Sequence, residues 1–189
     1  MDRILFVNAC VRPKSRTYEL ARDVLSRLSG QVEEIRLDQE AIPVLDGTQL
    51  EHRNELLATG AFSDPMFRFA HQFAQADTIV IAAPYWDLAF PALLKIYLEA
   101  VTVTGITFRY TEDGRPATLC QAKKLIYVTT AGGPILDFNF GFDYVSMLAR
   151  GFYEIPEVLC LKAENLDIIG ADVPALLAAA KKQAADLLK

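Results

Sequence analysis

Histidine is scarce in this chain, two in 189 residues, and its three cysteines (Cys10, Cys120, Cys160) lie far apart. With no CxxC pair and no Cys/His ligand spacing, no metal site is expected. A Ser–His–Asp arrangement has almost nothing to draw on. The strings GxGxxG, GxSxG and HExxH and the Walker phosphate loop are all missing, which removes the common signatures of dinucleotide folds, hydrolases, zinc peptidases and P-loop enzymes. A basic excess is missing too. Nineteen Lys and Arg against 24 Asp and Glu leave a net charge of −5, so nucleic acid is not an expected partner. No apolar run is long enough to span a bilayer, and no membrane insertion is expected. The apolar stretch in MDRILFVNAC is too short for a signal peptide. Together with an odd number of separated thiols, this gives cytoplasmic localisation as the expectation.

What is present is an ordinary globular composition, 52% hydrophobic and 23% charged. Four apolar runs read as buried parallel strands: Arg3–Asn8, Thr78–Ala83, Lys124–Thr130 and Glu157–Lys162. Val32–Leu37 alternates and suits an edge strand. Helical patterns separate them over Thr17–Leu28, Pro65–Ala76, Pro91–Val103, Phe142–Phe152 and Val173–Leu188. Within the polar segment Asp38–Ser63 a short helix is expected around Gln49–Thr59. Thr107–Leu119 carries a hairpin signal around Asp113–Gly114. With no repeat, low-complexity tract or linker, residues 1–189 read as a single domain.

Such alternation predicts an α/β fold, a doubly wound five-stranded parallel sheet of order 2-1-3-4-5 with an added β-hairpin. In such sheets ligands bind where the strand order reverses, at the carboxyl ends of the strands. That directs attention to the loops after Asn8 and Ala83, with the loop after Thr130 alongside.

The first of these, ACVRPKSRTYEL, enters a helix whose free N–H groups and partial positive charge favour a phosphate. Ser15 and Thr17 add hydroxyls, and Arg12, Lys14 and Arg16 add charge; equally, Ser15 or Thr17 serves as a plain N-cap. In the second, PYWDLAFP, an aromatic segment bracketed by Pro84 and Pro91 suits a flat ring lying against backbone. The third, TTAGGP, pairs two glycines whose N–H groups are free of side-chain obstruction. Cys10 is either a thiol activated by nearby cations or a small buried filler. His52 and His71 are assigned no role. Glu33, Glu34, Asp38 and Glu40 read as a solvated edge.

These loops, in this order, resemble those of the flavodoxin-like FMN-dependent NAD(P)H:quinone oxidoreductases and azoreductases. SRT at Ser15–Thr17 is similar to the family's Ser-x-Ser, PYWDLAFP to its Pro-Met-Tyr-Asn-Phe loop, and TTAGGP to its Thr/Ser-x-Gly-Gly segment. TGITFRYTEDG (Thr104–Gly114) resembles its GxTFxYTxxG, and the likeness runs from Arg3 to about Val158. It implies bound FMN, held by Arg12, Ser15, Arg16, Thr17, Pro84, Tyr85, Trp86, Asp87, Leu88, Thr130, Ala131, Gly132 and Gly133. It implies NADH or NADPH as donor, a quinone or azo acceptor walled by Phe108 and Tyr110, ping-pong turnover and a homodimer. No catalytic side chain is implied, since the flavin carries the chemistry. Four positions depart from the pattern: Ala9 stands for a serine, Trp86 for a Tyr, Asp87 for Asn, and Ile135 for a His. A carboxylate at Asp87 either disfavours reduced flavin or points to solvent. Phe138, Phe140, Phe142 and Tyr144 either cap the site or pack on a partner subunit. A flavodoxin-type electron carrier and a flavin-free regulator on the same scaffold are the competing readings.

Overall fold

The computed structural model describes residues 1–188. In chain order its elements are β1 (Arg3–Asn8), α1 (Arg16–Ser26), β2 (Gln31–Arg36), α2 (Gly47–Thr59) and α3 (Arg68–Ala74). There follow β3 (Thr78–Ala82), α4 (Ala92–Val101), β4 (Phe108–Tyr110), β5 (Pro116–Thr118), β6 (Lys124–Thr130), α5 (Phe140–Gly151), β7 (Glu157–Ala163) and α6 (Val173–Leu187). Five strands form a parallel sheet in the order β2-β1-β3-β6-β7, and β4 and β5 form a separate antiparallel hairpin. This is the 2-1-3-4-5 order expected from the sequence.

Register explains the two-sided core. Phe6 lies opposite Val80, and Val80 opposite Ile126. Because side chains alternate across a strand, Ile4, Phe6, Val80, Ala82, Ile126 and Val128 all reach one face. There Leu20 and Val24 of α1 and Leu177 and Ala180 of α6 cover them. Leu5, Val7, Ile79, Ile81, Leu125 and Tyr127 reach the other face and pack with residues of α3, α4 and α5. Each such side chain contributes roughly 1.5–3 kcal/mol by leaving water. On β2 only Ile35 is buried, as an edge strand requires.

Where element ends differ from expectation, side chains decide them. The expected helix Pro65–Ala76 splits into a 3-10 turn, Pro65–Phe67, and α3, with Asp64 Oδ1 accepting the Met66 N–H at 2.9 Å. α2 starts two residues early because Asp46 accepts the Gln49 N–H at 2.9 Å. It has no buried residue. α4 stops at Val101, and beyond it the Thr107 hydroxyl accepts the Val103 N–H at 3.0 Å. Asn139 caps α5, which begins at Phe140 instead of Phe142. β2 sits one residue earlier than the pattern suggested. No helix among the described residues is long and apolar enough to cross a membrane.

Candidate functional site

A cleft of about 320 Å³ opens at the carboxyl ends of β1, β3 and β6. On its first side the chain leaves β1 through buried Asn8. Asn8 Oδ1 accepts the Cys10 N–H at 2.9 Å, and its Nδ2 donates to Glu34 at 2.8 Å. This bends the loop so that α1 points its N-terminus at the cleft. Ser15 is the N-cap, its oxygen accepting the Tyr18 N–H at 3.2 Å. The N–H groups of Arg16 and Thr17 make no hydrogen bond among the described residues, and the exposed Arg12 and Lys14 make no ion pair there. This end of the cleft is positive.

The second side continues the β3–β6 ladder. Ala83 N–H donates to Val128 O at 3.0 Å, and Tyr85 N–H to Thr130 O at 3.0 Å. Trp86 and Ala89 then face each other across a two-residue turn, with Asp87 at φ 50° and Leu88 at φ 68°. Two consecutive positive φ values are the signature of the type I′ turn, where glycine or Asn is the usual occupant. Asp tolerates this conformation; leucine is strained in it. The Tyr85 hydroxyl donates to Phe138 O at 2.9 Å, tying down the loop before α5.

The third side is Thr130–Gly133, held by the segment after β7. Leu166 N–H donates to Ala131 O at 3.2 Å, Asp167 N–H to Gly132 O at 2.9 Å, and Asn165 N–H to Gly133 O at 3.3 Å. Glu164 Oε1 accepts the Ile135 N–H at 2.6 Å. The carbonyls of this loop are thus occupied, while the N–H groups of Gly132 and Gly133 have no partner among the described residues. Two contacts join the sides. Thr17 Oγ1 and Thr130 Oγ1 are 2.6 Å apart. Arg16 Nη1 donates to Asp167 Oδ1 at 2.7 Å and to Leu166 O at 3.0 Å.

Glycine at 132 has a local cause, because a Cβ there would meet Asp167 Oδ2 at 2.4 Å. At Gly133 nothing lies within 4 Å of such a Cβ, so that face is open. Cys10 is not an activated thiol. Burial pushes it up to about 11, outweighing its hydrogen bond with Ser15, and Asp38 and Glu34 push the same way. Buried Ile135 fills the position where the sequence resemblance expects His.

The family described as flavodoxin-like fold matches residues 2–188. The chain belongs to this family. An FMN-dependent NADH:quinone oxidoreductase 2 of Clostridium acetobutylicum is 36% identical over 190 residues, covering 94% of this chain and 93% of its own. An FMN-dependent NADH:quinone oxidoreductase of Coprothermobacter proteolyticus is 33% identical over 202 residues, covering 100% and 99%. Among solved structures, an azoreductase from Bacillus anthracis superposes with a TM-score of 0.85 at 23% identity, covering 100% of this chain and 99% of that one. A Bacillus anthracis FMN-dependent NADH-azoreductase in complex with FMN superposes at 0.81 and 20% identity, with both chains fully covered. At these identities the two structures show the shared fold.

Within that fold, ten of the thirteen residues that the sequence pointed to as cofactor contacts line the cleft: Arg12, Ser15, Arg16, Thr17, Pro84, Tyr85, Trp86, Thr130, Ala131 and Gly132. Asp87, Leu88 and Gly133 do not line it; they sit at its margin on the turn and on the open glycine. Phe108 and Tyr110 are not in it either. Phe108 is buried, edge-on to Phe152 at 4.9 Å, and Tyr110 is exposed. Phe108 is therefore part of the core. Sequence reasoning missed Leu166 and Asp167, which line the cleft from the β7–α6 segment. The acidic edge is also more structured than expected: Glu33 accepts from Gln72, Glu34 from Asn8, Glu40 from Arg68 and Asp38 from Arg36.

Proposed function

We propose that this chain is an FMN-dependent oxidoreductase. It draws electrons from NADH or NADPH and delivers them to quinones, azo compounds or similar flat acceptors, in a ping-pong cycle. One observation carries the reading: the N–H groups of Arg16, Thr17, Gly132 and Gly133 and the side chains of Arg12 and Lys14, all without a partner among the described residues, gather around one cleft at the switch point. Backbone donors left without acceptors at a helix N-terminus and a glycine turn form an anion cradle. The cleft volume falls in the range of small-molecule sites, about 300–1,000 Å³.

These residues fit FMN. Arg16 and Thr17 N–H groups, the Ser15 hydroxyl and the Arg12 guanidinium would hold its phosphate. Pro84, Tyr85 and Trp86, with the Asp87–Leu88 turn, would lie along its ring, and Thr130–Gly133 would meet its pyrimidine edge. Bound there, FMN supplies two-electron chemistry, taking hydride from a nicotinamide and passing electrons on. The chain's own part is positional and electrostatic. The Gly132 and Gly133 N–H groups would favour negative charge at the pyrimidine edge. The Ile135 side chain has no proton to give. In the strained turn the backbone N–H groups of Asp87 and Leu88 have no partner among the described residues.

A homodimer is part of the proposal. Large apolar side chains are exposed in one stretch beside the cleft, including Phe138, Phe140 at 51% and Met147 at 69%. α2 is covered only in part by the chain, with Leu56 and Leu57 half-buried against the core and no residue fully buried. Tyr110 is then free to reach an acceptor bound between subunits. Three free thiols agree with a reducing, cytoplasmic setting.

Two measurements test the reading on purified protein. Reconstitution with FMN should give flavin absorbance bands, and the holoprotein should oxidise NADH or NADPH with a quinone, with parallel double-reciprocal lines. Flavin binding without turnover would make it an electron carrier; no flavin binding would refute the proposal.

A further inference from the structure

A second cavity, of about 270 Å³, lies between α2, the loop preceding it, the Pro65 turn and α4, and shares no residue with the cleft. Ile42, Pro43, Met66 and Phe67 provide apolar wall. Among the described residues its only polar side chains are Gln49, Arg53 and Arg68, all hydrogen-bond donors, and no carboxylate lines it. Gln49 and Arg53 are one turn apart on α2 and so share a face.

Arg53 is only partly satisfied among the described residues. Its Nε–H is shut off from solvent and meets no acceptor among the described residues. Its Nη1 makes one long contact, 3.5 Å, to Glu99 O. The Glu99 carboxylate is itself held by Lys95. Burial lowers the affinity of the Arg53 guanidinium for its proton, outweighing the opposing pull of the Glu99 carboxylate. Arg68 is already oriented, its guanidinium 3.9 Å above the Phe69 ring and 2.6 Å from Glu40. A planar guanidinium in the wall of the cavity suits a carboxylate, and apolar walls suit a hydrocarbon body behind it.

We propose that this cavity is a second small-molecule site, taking a compact carboxylate with an apolar body. The apolar walls fit one ring system or a short branched chain. The carboxylate pairs with Arg53, Gln49 donates beside it, and the body lies against Ile42, Met66 and Phe67.

The probe is 1-naphthoate, titrated calorimetrically into FMN-loaded protein, with 1-naphthalenemethanol as its neutral counterpart. Wild type should bind naphthoate, with transferred magnetisation between naphthoate protons and the Met66 methyl. Arg53→Met should weaken naphthoate by about tenfold or more, the size of a charge-assisted hydrogen bond, and leave naphthalenemethanol within about twofold. Arg53→Lys, which keeps charge but removes Nε, should fall between. Ala100→Phe, filling the cavity, should abolish both, while NADH:quinone turnover stays unchanged in all three. No naphthoate binding to wild type, equal binding to wild type and Ala100→Phe, or magnetisation transfer to Trp86 in place of Met66 would overturn the proposal.

Discussion

The hydroxyls of Thr17 and Thr130, 113 residues apart in sequence, form a buried hydrogen bond of 2.6 Å that ties the first turn of α1 to the end of β6. Two hydroxyls carry two protons and their mutual bond uses one, so the pair offers a ligand one O–H donor, not two. If Thr17 donates to a phosphate, Thr130 must donate to Thr17. Thr17→Val and Thr130→Val should each cost about 1–2 kcal/mol in denaturant unfolding of FMN-free protein, since each strands a buried hydroxyl. The double variant should cost less than the sum. Strict additivity would show that the two hydroxyls do not depend on each other.

Asp167 places a carboxylate in the wall where the phosphate is expected, and it occupies Arg16 through a 2.7 Å ion pair. Asp167→Asn removes a like charge and releases the guanidinium. FMN should bind about two- to fivefold tighter, in keeping with the modest worth of an exposed pair, and the gain should shrink with salt. Riboflavin, lacking phosphate, should not respond. An equal response from both would mean that Asp167 acts on the ring or on folding.

The same carboxylate explains a glycine. Gly132 has ordinary φ, so alanine is tolerated by the backbone there, but its Cβ would lie 2.4 Å from Asp167 Oδ2. Gly132→Ala should therefore lower stability by about 1 kcal/mol, and Asp167→Ala should restore most of it. Melting temperatures of the two single variants and the double suffice. Loss without rescue would assign Gly132 a different constraint.

How much of this was legible in the sequence follows from burial. Strands covered on both faces leave unbroken apolar runs, so β1, β3, β6 and β7 stand out, and topology then marks the three loops. Side-chain caps moved the helix ends, because Asp46 and Asn139 look like any polar loop residue. Leu166 and Asp167 were hidden for a different reason: the segment after β7 reaches the cleft only because β7 lies beside β6, and no motif marks it. Phe108 is ambiguous in sequence, because a hairpin aromatic reads alike whether it faces a cleft or, as within this chain, Phe152.

Positive φ at Leu88 was invisible too, since leucine gives no turn signal. At φ 68° its Cβ crowds the backbone, a cost of roughly 1–2 kcal/mol. Leu88→Gly relieves this and gives back part of it as unfolded-chain entropy, so a net gain of about 0.5–1 kcal/mol in FMN-free stability is expected. If the strain preorganises the turn for the ring, FMN affinity should fall at the same time. A variant less stable than wild type would show that the Leu88 side chain, 47% exposed, packs more than its exposure suggests.

Glu164 links the glycine loop to pH. Partial burial pushes its carboxyl up, but the Lys162 ammonium and the Ile135 N–H together outweigh this and hold it below its usual value of 4.5. A group lowered in the folded state stabilises the fold above its unfolded value and stops doing so as pH falls through the folded one. Wild-type stability should therefore drop as pH is taken below 4.5. Glu164→Gln keeps an oxygen for the Ile135 N–H but cannot ionise, so it should be less stable by about 1 kcal/mol at neutral pH and converge with wild type in acid. Unfolding free energies of both proteins across that range, measured without FMN, decide it. Parallel curves would remove Glu164 from the acid response and leave the clamp on Gly132 and Gly133 to the backbone bonds from residues 165–167.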